Sequence, residues 1–150
     1  MSETMRRNYG GGLISKSERF EFDFYATPPL EVINILNHEN VIYNSGGGII
    51  LDPCAGRGHI VDSVNKFFNS YNICKGSDIH NHIIRFPIID FLSDEYQNFT
   101  GYNNISTIIT NSPFKHMNEF IIKSLSLTKD KVIILGRIQV LESKVRYEEI

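Results

Sequence analysis

Apolar residues along this chain fall into two spacings. Short unbroken runs, "IIL" at Ile49 to Leu51, "ISTIIT" at Ile105 to Thr110 and "KVIIL" ending at Leu135, have the length and β-branched content of strands buried on both faces. "NICKGSD" and "RFPIIDF" predict two further short strands, closing on Asp78 and near Asp90. Between these runs the spacing turns helical. Leu30, Ile33 and Leu36 follow Pro28-Pro29, with Thr27 expected as the cap, and predict a helix over about 28–38. Ile60, Val64, Phe67 and Phe68 mark a second helix, and "MNEFIIKSLSL" a third with Met117, Ile121 and Leu125 on one face.

Strands alternating with helices predict an α/β fold: a mostly parallel sheet of about five strands flanked by helices. Ligands of such sheets bind beyond the carboxyl ends of the strands, where the strand order reverses. Asp52, Asp78, Asp90 and Asn111 each fall at the end of a predicted strand. If the fifth strand lies at the edge, "VIIL" presents an apolar edge, for which self-association or a partner chain is the expectation. Residues 1–19, polar and containing Gly10-Gly11-Gly12, read as a mobile lead-in to a single domain over 20–150.

The 150 residues suffice for one core, so one site is expected. A formal net charge of -2 gives no overall basic footprint, so any nucleic-acid contact has to be local. Cys54 and Cys74 form no CxxC and no ligand array, which points to a reduced, cytoplasmic protein (the host cytoplasm for a viral one) without a metal. No apolar run approaches the ~20 residues of a membrane helix. "IHNHI" contains the letters of a nuclease motif, but that motif needs its histidines on widely spaced elements, and chance accounts for it better. His59 and His116 read as loop histidines.

Candidate chemistry begins at "LDPCAGRGHI", an acid at a strand end followed by Gly56 and Gly58 in the turn to a helix. Tight turns use glycine for geometry alone, so the turn by itself is even evidence. Asp78 adds to it, standing twenty residues past Gly58 where an acid at the end of the second strand binds ribose hydroxyls. A dinucleotide fingerprint is not completed, because position 61 is Val61. The pattern suits a nucleoside without a pyrophosphate.

Here a resemblance becomes specific. "DPCAGRG" resembles the glycine-rich motif of S-adenosylmethionine-dependent methyltransferases, and "TNSPF" the Asn-Pro-Pro-Phe/Tyr motif of amino-group methyltransferases. "FYATPPLEVINIL" is similar to the segment that precedes the glycine motif in DNA adenine-N6 methyltransferases, and "GRIQVLESKVRYEEI" to a stretch of a phage-type adenine methyltransferase family. The likeness spans about residues 24–150, with four motifs in order. It implies a Rossmann-like fold, S-adenosylmethionine as cofactor and DNA with a flipped adenine as partner. Family members continue with further strands, so the resemblance also predicts a C-terminally shortened sheet.

The resemblance assigns roles. Asp52 and the loop of Pro53, Cys54, Ala55, Gly56 and Gly58 would hold the methionine part of the cofactor, Asp78 its ribose, and Asp90 with Phe91 its adenine, with Ile79 also among the cofactor-binding residues. Tyr25, Thr27 and Pro28 would close over the methionine end. Asn111 and the Ser112 carbonyl would accept the hydrogens of the target amine, stabilising the charge that develops on nitrogen. Phe114, beside Pro113, would stack on a base turned out of its helix. Arg137, Glu142 and Arg146 would position the target strand, although a solvated helix face explains Glu142 and Arg146 equally well. Ser112 stands where the family motif has its first proline, which predicts a less rigid acceptor loop, still biased to extended geometry by Pro113. The same chemistry on RNA or on a protein glutamine, a cofactor-binding but inactive chain, and a binding module for another nucleoside are the alternatives.

Overall fold

The computed structural model describes residues 26–39, 41, 48–80, 82–99 and 103–136. Among them, four strands form one all-parallel sheet: β1 (Ile49–Asp52), β2 (Cys74–Gly76), β3 (Ile105–Thr110) and β4 (Lys131–Ile134), in the order β2-β1-β3-β4. Three helices accompany them, α1 (Pro29–His38), α2 (His59–Phe67) and α3 (Met117–Leu127), with a 3-10 turn at Asp94–Asn98. The fold is α/β.

Alternation along the strands explains why both faces are covered. Ile50 and Ile109 point into one cluster with Val32 and Leu36 of α1 and Ile60 and Val64 of α2. Leu51 and Ile108 point the other way, against Phe91, Tyr96 and Phe120. A fully buried aliphatic side chain contributes roughly 1.5–3 kcal/mol, so burial on both faces, rather than strand propensity, stabilises these short strands. Asn65 of α2 ties helix to sheet: its amide oxygen accepts the Ile73 and Cys74 N–H groups and its nitrogen donates to the Cys74 carbonyl.

β1 is followed by β2 on one side, whereas β3 returns to its other side. The strand order therefore reverses between β1 and β3, and their carboxyl ends, Asp52 and Thr110, meet at the reversal. β4 pairs with β3 alone among the described strands.

Three expectations are corrected. "RFPIIDF" is not a strand but a single parallel bridge between Asp78 and Ile88, so the described sheet has four strands instead of about five. Pro87 has no N–H to donate, and Asp90 turns the chain by accepting the Leu92 N–H on its side chain. Thr27 does not cap α1. Pro28 is the N-cap, and its carbonyl accepts the Glu31 and Val32 N–H groups. On α3 the buried stripe runs Met117, Phe120, Ser124, and Leu125 is 52% exposed. Phe120 stacks on Phe91 with ring centroids 5.0 Å apart, and the larger area of an aromatic ring decides which face turns inward.

One packing contact gives a test independent of function. A Cβ built on Gly76 would lie 2.7 Å from the Ala55 Cβ and 2.8 Å from the Phe86 ring, closer than side chains approach one another. Gly76→Ala is expected to destabilise the fold by about 1–3 kcal/mol, measured by urea denaturation. An unchanged midpoint would mean that the glycine loop does not press on β2 as described.

Candidate functional site

Two groups of side chains gather beyond the carboxyl ends of the strands. The first is built on the turn from β1 to α2. Gly58 takes the left-handed conformation (φ 88°) as N-cap of α2, and Gly56 has φ 51°, both conformations that favour glycine. The loop folds onto the end of β2: Ala55 N–H donates to the Ser77 carbonyl at 2.9 Å, and Gly56 N–H to Asp78 Oδ2 at 2.8 Å. Asp78 Oδ1 accepts the His80 N–H at 2.9 Å and lies 3.7 Å from His82 Nε2. Asp78 is thus buried and held at both oxygens.

Asp52 is 1% exposed. Its Oδ1 accepts the Cys54 N–H at 3.1 Å and the Thr110 hydroxyl at 2.8 Å. Burial outweighs these two hydrogen bonds, and the neighbouring Asp78 adds to it, so the Asp52 carboxyl is pushed up to about 7. Burial also drives the Cys54 thiol upward, with the Asp52 and Asp78 charges adding to it, which disfavours the thiolate a nucleophile would need.

The second group is built on the loop after β3. Thr110 is fully buried and carries the hydrogen bond to Asp52, so the chain enters the loop from a fixed point. Asn111 Nδ2 donates to the Thr27 hydroxyl at 3.3 Å, although 84 residues separate them. Ser112 is 2% exposed and its hydroxyl donates to Met117 Sδ of α3 at 3.3 Å. The expected looseness at Ser112 is therefore offset by a side-chain anchor. Pro113 (φ -57°, ψ 129°) precedes the short 3-10 turn Phe114–His116.

Ala26, Thr27, Pro28, Glu31, Asn111, Phe114, Leu135 and Gly136 line a cleft of about 320 Å³. The structure thus brings Thr27, Pro28, Asn111 and Phe114 to one place, and Asp52, Cys54, Ala55, Gly56 and Asp78 to another. The Thr110–Asp52 hydrogen bond joins the two. Pro53 is buried in the loop. Ile79 is 52% exposed beside Asp78, and Asp90 is exposed in its turn. Phe91 belongs to the core at 2% exposure, so the structure corrects its assignment to the cofactor: its ring packs against Tyr96 and Phe120 and is not available to a ligand. Tyr25, Arg137, Glu142 and Arg146 lie outside the described residues.

Sequence reasoning missed Thr110, Glu31, Leu135 and Gly136. Thr110 carried a readable signal, a hydroxyl inside an otherwise apolar strand end that must find a partner when buried. The other three depend on how α1 docks beside β4, which no local pattern states.

Among the described residues there is no cluster of three or more acidic, histidine or cysteine side chains able to hold a metal, and no helix long and apolar enough to cross a membrane. No family model, curated protein or solved structure matches this chain.

Proposed function

We propose that this chain is a Rossmann-like methyltransferase that uses S-adenosylmethionine to methylate the N6 amine of adenine in DNA. The observation that carries the reading is the cleft beyond the carboxyl ends of β3 and β4, lined by Asn111 and Phe114, with Thr110 before Asn111 bonded to the buried Asp52.

The first group of side chains fits the cofactor by its chemistry. Asp52 and Asp78 stand together at the carboxyl ends of β1 and β2, two acids bound to the main chain of the glycine loop. Asp52 and the Pro53 to Gly58 loop would hold the cationic methionine end, and Asp78, oriented by two main-chain N–H groups, the ribose hydroxyls. Ile79 offers exposed apolar surface for a base, and Asp90 a carboxylate for its polar edge. When bound, the cofactor supplies an electrophilic methyl group on a sulfonium sulfur.

The protein's part is to hold the acceptor. The lone pair of an exocyclic amine is delocalised into its ring, so the amine must be gripped by its hydrogens to turn that pair outward. Asn111 Oδ1 and the Ser112 carbonyl supply two acceptors, and both stabilise positive charge on the nitrogen. The surplus proton then leaves to water, so no strong base is required. Phe114, half-buried in the wall of the cleft, gives a flipped base a ring to stack on.

Calorimetric titration with S-adenosylmethionine tests the cofactor site. Wild-type chain is expected to bind, and Asp78→Ala to bind at least about tenfold more weakly, since hydrogen bonds to a charged group are worth roughly 1.5–3 kcal/mol each. A folded wild-type chain that takes up no cofactor would refute the reading.

A further inference from the structure

Arg85 and Phe86 stand at the head of the segment that bridges to Asp78, and both lie against the glycine loop. A Cβ on Gly58 would lie 2.9 Å from Arg85 Nη1 and 3.0 Å from Phe86 Cζ, and one on Gly76 would lie 2.8 Å from Phe86 Cε1. One ring thus fills the space beside two glycines, the N-cap of α2 and the last residue of β2. Just beyond the ring, the same segment holds Asp78. The Pro87 carbonyl accepts the Asp78 N–H at 3.1 Å, and the Ile89 N–H donates to the Asp78 carbonyl at 2.8 Å.

Arg85 keeps the ring in that place. Its guanidinium lies over Phe86, 4.9 Å from the ring centroid, and donates from Nη1 to Asp62 Oδ2 at 3.0 Å and from Nη2 to Asp62 Oδ1 at 2.6 Å. Asp62 belongs to the first turn of α2, and its N–H donates to the Gly58 carbonyl at 2.8 Å. The contacts therefore close on themselves, from Gly58 through Asp62 and Arg85 to Phe86 and back to Gly58. Both charged side chains are well exposed, 42% for Arg85 and 59% for Asp62, so the pair adds little to overall stability. A planar fork on a carboxylate does fix direction. We infer that Arg85 is a positioning residue for the cofactor loop: through its fork on Asp62 it holds Phe86 against Gly58 and Gly76, and so sets the glycine turn and Asp78 in the arrangement that receives S-adenosylmethionine. The inference rests on the cofactor reading above and gives a role to a side chain outside both groups of the site.

The test compares Arg85→Met, which keeps a stem over the ring and removes the fork, with Asp62→Ala and with the double variant. Calorimetric affinity for S-adenosylmethionine is measured at a temperature where circular dichroism shows every variant folded, so that a purely structural role would not move it. Each single variant is expected to bind about threefold to tenfold more weakly than wild type, and the double variant no more weakly than the weaker single, because both residues act through one bond. Unchanged affinity in Arg85→Met, or losses that add in the double variant, would overturn the proposal. Hydrogen exchange at the Gly56 and Gly58 amides, bonded to Asp78 Oδ2 and to the Ala55 carbonyl, gives a readout without cofactor. Exchange is expected to be about threefold to tenfold faster in each single variant and no faster still in the double. If the wild-type chain binds no S-adenosylmethionine, the function proposed above fails, and exchange decides the role of Arg85 by itself: unchanged rates in Arg85→Met overturn it.

Discussion

Replacing Asn111 with alanine is expected to lower the rate of methyl transfer by about 10²–10³, the usual cost of removing one preorganised polar group from a site where charge develops. Affinity for S-adenosylmethionine is expected to stay within about twofold of wild type, a split that marks an interaction made in the transition state. The expectation follows from the proposed division of the site. Asn111 faces the cleft with Thr27 and Phe114, whereas the acids assigned to the cofactor lie at the ends of β1 and β2. The link through Thr110 is made by the neighbouring residue and survives the substitution. Single-turnover assays beside calorimetry check both halves. Equal losses in binding and rate would mean that Asn111 belongs to the cofactor site.

The second large effect concerns stability and holds whatever the reaction. Burial raises Asp52 from the ordinary 3.8 to about 7 in the folded chain. Between those values the native state keeps a proton that the unfolded chain has released, so stability is highest below the lower value and falls as pH rises towards 7. The difference corresponds to about 4 kcal/mol lost across that window. Asp52→Asn removes the titration and keeps an oxygen for the Cys54 N–H and the Thr110 hydroxyl. The variant is therefore expected to be more stable than wild type by about 4 kcal/mol at pH 8, with the gap closing towards pH 4, because other titrating groups cancel in the comparison. Urea denaturation at several pH values measures it. A gap that does not depend on pH would mean that Asp52 is ionised at its ordinary value in the fold.

The elements that form this site differ in how plainly the sequence announces them. "IILD" and "ISTIIT" read directly as buried parallel strands, because a continuous apolar run bounded by turn residues has few other uses in a short chain. Asp52, Asp78 and Asn111 were legible for the same reason: polar residues closing apolar strands stand at the sheet's carboxyl edge. "RFPIIDF" misled because apolar content does not report hydrogen-bonding capacity, and Pro87 interrupts the ladder. Thr27 was legible as a residue near a helix start but not as the partner of Asn111. A contact across 84 residues is set by how α1 docks on the sheet, and local spacing carries no information about that. The buried face of α3 was misjudged by one step of the helix, since Met117 begins both stripes and the partner ring, Phe91, lies in a distant segment.

The central claim is that Asn111 and Phe114 present an adenine amine for methylation. Its most direct measurement incubates the chain with S-adenosylmethionine labelled in the methyl group and adenine-containing DNA, then identifies the labelled nucleoside by mass spectrometry. The account predicts label on the N6 nitrogen of deoxyadenosine with wild-type chain and its loss with Asn111→Ala. Cofactor bound by a folded wild-type chain, with no label in any nucleoside, would contradict it.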